Sequence, residues 1–325
     1  MAMRIQETAL PQELNLKTPA IDLGNTSIHT AYHLQVHIEA ENGTGAAKTP
    51  TIEEWASCLE NISVVSDNTR YHYSWNGMDI IKRNAMFAPV GLPTRVIDQT
   101  FTSTASGEMM TADFVLALEE GDIIGMMHDS VTLKASIAKT IADDCPIEEI
   151  TIKPTIYELI PSTDKAAAQA ELQARYGEGY VGALEPKVYN LEKKCDANTE
   201  ITGFFNLPTG ALLRGGLMQW SSAPSQFGLI ATVPSRSELM RMNWDTARAK
   251  DERRFRTAMP ENCTYFDFDA ELAINGLGID GRAFNRGDYQ ISARTAEELT
   301  LRYTSFEMMY PAVSGGSLNP GHTMF

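Results

Sequence analysis

Tyr32-His-Leu-Gln-Val-His-Ile-Glu39 is the stretch of sequence that decides the fold. Apolar residues occupy every second position from Tyr32 to Ile38, and polar residues fill the positions between them. A period of two is typical of a β-strand that buries one face and exposes the other. The stretch therefore predicts a strand of a sheet-rich protein.

Similar strand patterns follow this stretch along the chain and outnumber the helical ones. A proline, Pro154, interrupts one of the predicted strands, which favours an edge or a bulge at that point. The further strands are predicted at 62–66, 70–75, 95–102, 110–118, 130–138, 149–159, 200–207, 212–220, 228–233, 264–274, 289–293 and 299–308.

Helix signals are few and short. Thr51-Ile-Glu-Glu54 matches a capping box, and a second short helix is predicted near 78–84. The strongest signal runs from Asp164 to Arg175, which holds five alanines and no glycine or proline. Ser235-Arg-Ser-Glu238 matches a capping box again and predicts a helix toward Phe255. Residues 177–199 are predicted to be irregular.

The two halves of the chain are alike in outline. Each has strands, then a tryptophan that leads into a helical piece (Trp75 and Trp244), then a closing set of alternating strands. Many short strands separated by turn signals indicate β-sandwiches or jelly rolls. If the halves are two barrels, the two tryptophans should occupy equivalent places.

Composition restricts the class of protein. The 325 residues are 43% hydrophobic and 21% charged, which fits a globular chain of one or two domains. The formal charge of −15 argues against wrapping nucleic acid, because phosphates repel an acidic surface. The four cysteines lie far apart without a CxxC pair, and the N-terminus has no apolar core of a signal peptide.

Three histidines, His29, His33 and His37, are spaced four apart. On a helix this spacing would form a metal-binding stripe. On the predicted strand they are expected to share its polar face, spread over roughly 27 Å at about 3.3 Å per residue. One metal ion does not bridge that distance, so we interpret them as a solvated or interface face.

Two further patterns resemble binding motifs. Gly276-Leu-Gly-Ile-Asp-Gly281 matches GxGxxG, but Asn285-Arg-Gly-Asp288 interrupts the helix that a dinucleotide site needs, so a loop between strands is predicted. Asp267-Phe-Asp-Ala-Glu271 begins like a calcium loop, with Leu272 where the turn needs glycine. On a strand these acids share one face. This face is either a solvated surface or a site that binds calcium between subunits.

Motifs of catalysis are absent from the sequence. It contains no GxSxG, no GxxxxGK[ST] and no HExxH. We therefore expect no enzyme activity, and we assign no catalytic, cofactor-binding or metal residue and no cofactor.

The second half resembles the major capsid proteins of small tailless icosahedral phages with double jelly-roll shells, above all the corticovirus type, with autolykivirus and finnlakevirus relatives as alternatives. The first half resembles them more loosely, through Tyr73-Ser-Trp-Asn-Gly-Met-Asp-Ile-Ile81. The segments that carry the likeness in the second half are 227–233, Met242-Asn-Trp244, 245–255, Asn262-Cys-Thr-Tyr-Phe-Asp-Phe-Asp269 and the hairpin 289–306.

The resemblance implies a mainly β chain of two tandem eight-stranded jelly rolls (a double jelly-roll), with short helices and one inserted alanine-rich helix. The expected organisation is an N-terminal arm at 1–26, a first jelly roll at 27–160, a helix-containing connection at 161–199, a second jelly roll at 200–310 and a C-terminal arm at 311–325.

The resemblance also implies a function. The chain would be a structural major capsid protein of the virion, made in the host cytoplasm, whose homotrimers are pseudo-hexameric and tile an icosahedral shell. Its partners would be its own copies, neighbouring trimers, penton, spike and minor capsid proteins and an internal viral membrane, without sequence-specific nucleic-acid binding. Two alternatives stay open: a β-sandwich glycan-binding protein or glycan-active enzyme, and a phage spike or minor capsid protein.

Overall fold

The structure is a computed structural model that describes seven segments of the chain. The chain forms two compact units. The first unit contains the described residues of 1–84 and 92–187, and Met309. The second unit contains the described residues of 85–91 and 188–308. The described segments are 4–44, 46–87, 96–100 (backbone only), 105–141, 144–177, 183–268 and 279–309.

Strands dominate the first unit. Three helices accompany them: α1 (Ile52–Ser57), α2 (Gly77–Phe87) and α3 (Lys165–Tyr176). The strands are β1 (Arg4–Ala9), β2 (Ala20–Asp22), β3 (Ile28–Glu41), β4 (Leu59–Ser66), β5 (Arg70–Trp75), β6 (Val96–Thr100), β7 (Met109–Leu118), β8 (Ile123–Ile124), β9 (Val131–Ile137) and β10 (Ile147–Ile160).

The helix α4 (Trp244–Phe255) lies in the second unit, which also contains the last residues of α2. The first strand of this unit begins in the last residues of the first unit. The strands are β11 (Glu185–Cys195), β12 (Asn198–Asn206), β13 (Leu212–Trp220), β14 (Gln226–Ala231), β15 (Ser237–Asn243), β16 (Cys263–Asp267), β17 (Ile279–Asp280), β18 (Tyr289–Thr295) and β19 (Leu299–Met309).

Both units have the same strand order. In the first unit, one sheet contains β1-β10-β3-β7 and the other β2-β9-β4-β5. In the second, one sheet contains β11-β19-β13-β16 and the other β12-β18-β14-β15. If the eight main strands of each unit are numbered along the chain, both units read 1-8-3-6 and 2-7-4-5. Two antiparallel four-stranded sheets in this order form a jelly roll, so the mainly β, double jelly-roll prediction is confirmed.

The predicted alternation in β3 holds in the first unit. Every second residue from Tyr32 to Ala40 is fully or almost fully buried, and β3 pairs with β10 on one side and β7 on the other. A central strand whose apolar side chains all point to one face supplies much of the apolar burial that stabilises a sandwich.

An aromatic core fills the second unit. The rings of Trp220, Trp244 and Phe266 lie 5.8 to 6.5 Å from that of Phe227, centre to centre. Gly215 and Gly216 in β13 leave room beside this core. A Cβ on either would lie 2.1 Å from the side chain of Tyr265 or Tyr303, so only glycine fits there.

Trp75 and Trp244 lie at the same junction of their units. Trp75 ends the fifth strand of the first unit two residues before α2, and Trp244 begins the helix that follows the fifth strand of the second. Both side chains are buried. The two halves are thus equivalent in topology at the tryptophans, as expected from the sequence.

Two predicted helix starts form through the expected caps. Thr51 and Glu54 make the reciprocal capping-box hydrogen bonds of α1. Asp164 accepts a hydrogen bond from the backbone N–H of Ala167 at the start of α3. Local side-chain chemistry therefore decides where these helices begin.

The N-terminal region differs from the expected arm at 1–26. β1 and β2 lie within it and take the first and second strand positions of the first jelly roll. β1 is an edge strand with mostly exposed or half-buried side chains, held by backbone pairing to β10. Such a strand carries no apolar alternation from which a sequence could predict it. The expected C-terminal arm at 311–325 lies outside the described residues.

Two local predictions in the second half are wrong. The stretch 177–199 contains β11 instead of irregular chain, because burial along this strand does not alternate regularly and its sequence therefore lacks a period of two. The capping-box match at Ser235 does not begin a helix. β15 lies there and pairs with β14, and Met240 and Met242 pack against the core, so strand pairing overrides the local helix signal.

The position of Pro154 also differs from the prediction of an edge or bulge. β10 is an interior strand, and Pro154 pairs in regular register with Leu34. Its carbonyl accepts a hydrogen bond from Leu10, just past the end of β1. In an antiparallel pair, the nitrogen and the oxygen of one residue point to the same neighbouring strand. The nitrogen of Pro154, which lacks a hydrogen, therefore points toward Leu10, and no hydrogen bond to β3 is lost.

No helix in the described part of the chain combines the length and the apolar character that crossing a membrane requires.

Candidate functional site

A buried group of charged and hydrogen-bonding side chains in the first unit is the candidate site. His72, His128 and Glu185 each offer a ligand atom, and these atoms lie within 4.8 Å of one another. His72 is in β5, His128 follows the 3-10 turn Gly125–Met127, and Glu185 is the first residue of β11. All three are less than a tenth exposed.

Glu185 is the centre of the group. Its Oε1 accepts hydrogen bonds from the backbone N–H of Ile124 at 3.1 Å and from Nε2 of His128 at 2.8 Å. Its Oε2 forms an ion pair with Nη2 of Arg70 at 3.0 Å. A buried carboxylate needs such partners, since burial without them costs several kcal/mol.

His128 bridges two carboxylates. Its Nδ1 lies 2.9 Å from Oδ2 of Asp67, and its Nε2 contacts Glu185. Asp67 and Asn68 have positive φ angles of 52° and 58° and form the turn between β4 and β5. Asp and Asn are the residues that most easily adopt this conformation after glycine. The turn therefore brings a carboxylate to the histidine.

His72 has neutral hydrogen-bond partners. Its Nδ1 lies 3.3 Å from the carbonyl oxygen of Pro186, and its Nε2 lies 2.9 Å from the hydroxyl of Ser66. The carbonyl only accepts, so Nδ1 carries the proton and Nε2 accepts from the hydroxyl. The ring stands edge-on to that of His128, 5.5 Å away.

The surroundings shift the pKa values of the two histidines in opposite directions. Burial lowers the pKa of His72 to about 4, so its ring is neutral. Burial also acts to lower the pKa of His128, but the hydrogen bonds to Glu185 and Asp67 outweigh it and raise that pKa. Burial acts to raise the pKa of Glu185, and the hydrogen bond with His128 and nearby positive charges lower it.

This arrangement can hold charge in the interior and offers two imidazole nitrogens and a carboxylate to a metal ion. Sequence analysis singled out none of its residues. His128 and Glu185 are 57 positions apart, and His72 and Pro186 are 114 apart. No local spacing signals a group that only the tertiary fold assembles.

The structure places the three spaced histidines differently from the expected shared face. His33 and His37 lie half-buried on the polar face, beside Glu119 at 2.6 Å and Asp113 at 3.0 Å. His29 is fully buried and contacts the hydroxyl of Tyr32 at 2.8 Å. The pairing register shifts between the partners of Ala31 and His29, so a bulge turns His29 to the inner face.

Replacing His29 with glutamine is expected to make the protein less sensitive to acid. Burial lowers its pKa from 6.5 to about 4, against the raising effect of Glu158. Between pH 6.5 and about pH 4, His29 binds a proton only in the unfolded chain. The free energy of unfolding of the wild type therefore decreases as the pH falls through this range. At about 1.4 kcal/mol per pKa unit, the effect is on the order of 3 kcal/mol.

The measurement is urea unfolding of wild-type and His29→Gln protein at several pH values from 7 to 4. His29→Asn serves as a second variant that lacks a titrating ring. Both variants should lose less stability than the wild type across this range. An unchanged slope in both would show that His29 is not the group responsible.

The two other motifs are only partly described. Within the GxGxxG match, Ile279–Asp280 form the short strand β17, which pairs with β13 instead of forming the predicted loop, and residues 276–278 lie outside the described residues. Asp267 is buried and pairs with Arg254, whereas Asp269 and Glu271 lie outside the described residues. Calcium binding between subunits at these acids stays a prediction.

No protein-family model matches the chain, and no curated protein matches it by sequence. Solved structures do match. The major capsid protein of Sulfolobus turreted icosahedral virus superposes with a TM-score of 0.77 and 12% identity, over 95% of this chain and 97% of that one. A second structure from this virus gives 0.76 and 13%, over 94% and 91%.

The major capsid protein P2 of bacteriophage PM2 is similar over 94% of this chain and 97% of its own, with a TM-score of 0.59 and 10% identity. Because these identities are low, the likeness concerns the fold. The chain therefore has the double jelly-roll fold of these major capsid proteins.

Proposed function

We propose that this chain is the major capsid protein of an icosahedral virus and acts as a structural protein without enzyme activity. The observation that carries the proposal is the repeated 1-8-3-6 and 2-7-4-5 strand order in one chain. A chain with two equivalent barrels supplies six barrels from three copies, which suits a pseudo-hexameric tile. The likeness to viral capsid proteins over most of both chains supports it.

Copies of the same chain are the main partners in this proposal, and the virion is the location. Penton, spike and minor capsid proteins and an internal membrane would be further partners. The formal charge of −15 disfavours electrostatic binding of the shell protein to the genome.

The test is the assembly state of the purified full chain. Light scattering should give a stable species of three times 35.9 kDa, and negative-stain images should show six-sided particles or closed shells. A monomer at all concentrations, in the presence of lipid vesicles as well, would contradict the proposal. Glycan binding by that monomer would favour the sandwich lectin or glycan-active enzyme.

An exposed edge in the second unit suits contact between copies. β15 ends the sheet order β12-β18-β14-β15, and in the described part of the chain it pairs with β14. Residues 233–239 are all exposed, with Val233 at 59% and Leu239 at 44%. An exposed edge strand with apolar side chains is a surface that other chains readily cover.

Leu239→Lys is expected to weaken self-association while the chain stays folded. Full burial of a leucine contributes about 1.5–3 kcal/mol, and Leu239, which is 44% exposed, would gain part of this while a lysine would also lose hydration, so the association constant should fall by roughly tenfold. Sedimentation at a series of concentrations measures it. Ser237→Lys, at another exposed position of β15, controls for the added charge. Equal association of Leu239→Lys and wild type would exclude this edge from the interface.

A further inference from the structure

The two histidines of the buried group are oriented in the same way. Each has a partner at Nδ1 that only accepts hydrogen bonds: the Asp67 carboxylate at 2.9 Å for His128 and the Pro186 carbonyl at 3.3 Å for His72. Proteins use this arrangement to fix metal-binding histidines, because it holds the proton on Nδ1 and leaves the Nε2 lone pair for the ion.

The third member completes a set of ligand atoms. Oε1 of Glu185 lies 2.8 Å from Nε2 of His128, and the ligand atoms of all three residues lie within 4.8 Å of one another. Arg70 holds the other oxygen, Oε2, at 3.0 Å, and so fixes the orientation of the carboxylate. The hydroxyl of Ser66, 2.9 Å from Nε2 of His72, places a further oxygen nearby.

We propose that His72, His128 and Glu185 bind a divalent transition-metal ion, and that zinc is the ion that fits them. Two imidazole nitrogens and one carboxylate oxygen are a donor set typical of zinc, whereas calcium and magnesium prefer oxygen ligands alone. The ion takes the place of the proton between Nε2 of His128 and Glu185, and that proton leaves to solvent.

The bound ion would join three segments that are distant in sequence. These are β5, the connection that follows the 3-10 turn Gly125–Met127, and the first residue of β11. A ligand that binds only the folded chain stabilises it in proportion to its excess over the dissociation constant. The ion would therefore act as a structural clamp in the first jelly roll, in addition to the proposed capsid role.

Zinc titration of the metal-free full chain by calorimetry tests the proposal. Wild type should bind one zinc ion per chain, and its melting temperature should rise with zinc. His72→Gln should lose this binding. Asp67→Asn, which removes the carboxylate that orients His128, should weaken it about 10- to 100-fold. His33→Gln, a histidine beside Glu119 outside the group, should bind like the wild type.

Asp67→Asn keeps the test decisive if His72→Gln fails to fold, because Asp67 is partly exposed and asparagine tolerates its φ of 52°. Cobalt supplies a second readout on the wild type. Its spectrum should show nitrogen and oxygen ligation. A thiolate charge-transfer band would assign the metal to a cysteine and overturn the proposal, as would no binding, or equal binding by Asp67→Asn and wild type.

Discussion

Glu185→Ala is expected to lower the free energy of unfolding by about 3–5 kcal/mol, the cost of removing one partner from a buried charge pair. The carboxylate lies within 3.0 Å of both Arg70 and His128, and its side chain is fully buried. Its loss would leave the Arg70 guanidinium and the His128 ring facing a cavity. The backbone N–H of Ile124 would lose its acceptor as well.

Urea unfolding in the presence of a chelator measures this effect without a contribution from bound metal. Hydrogen exchange, followed peptide by peptide, should show the added opening in β5 and near His128. Glu192→Ala is the matched control on the same strand. That side chain is 60% exposed and lies 3.5 Å from Arg302, so its loss should cost less than about 1 kcal/mol. Equal effects of the two variants would mean that Glu185 adds no more than a surface pair.

Apolar periodicity and caps account for the part of the fold that could be predicted from sequence. β3 shows its buried face directly in the alternation from Tyr32 to Ile38, and α3 shows its start and end in Asp164 and Gly177. These signals are local, because a side chain and its neighbours within a few positions decide the outcome.

The features that escaped prediction depend on contacts between distant segments. β1 is a polar edge strand, and β11 has no regular alternation of buried residues, so the sequences of both resemble loops. The bulge beside His29 reverses the face of a single residue within an otherwise regular strand. The candidate site needs a turn, a 3-10 helix and a strand start to converge, and none of these carries a motif.

The repeated topology connects these observations. A strand without regular apolar alternation takes the first position in both units, and a helix follows the fifth strand in both. The group of His72, His128 and Glu185 belongs to the first unit, and the aromatic cluster around Phe227 belongs to the second. The same strand order is thus compatible with different buried side chains in the two units.

Phe227→Ala should lower the free energy of unfolding of the second unit by about 3–5 kcal/mol, the cost of emptying a large aromatic site in a packed core. Phe227 is 1% exposed on the interior strand β14, and its ring contacts those of Trp220, Trp244 and Phe266. Its removal would leave a cavity and also break the edge-to-face pairs with Trp244 and Phe266.

The fluorescence of Trp220 and Trp244 during urea unfolding reports on this core, and hydrogen exchange in β14 and β18 locates the change. Phe227→Leu is the matched control, because it keeps most of the apolar volume and should cost less than half as much. Tyr71→Ala, at a 48% exposed position in the first unit, should leave the exchange of β14 unchanged. A loss below about 1 kcal/mol for Phe227→Ala would mean that the neighbouring rings close the cavity, and the aromatic cluster would then not be what stabilises the second jelly roll.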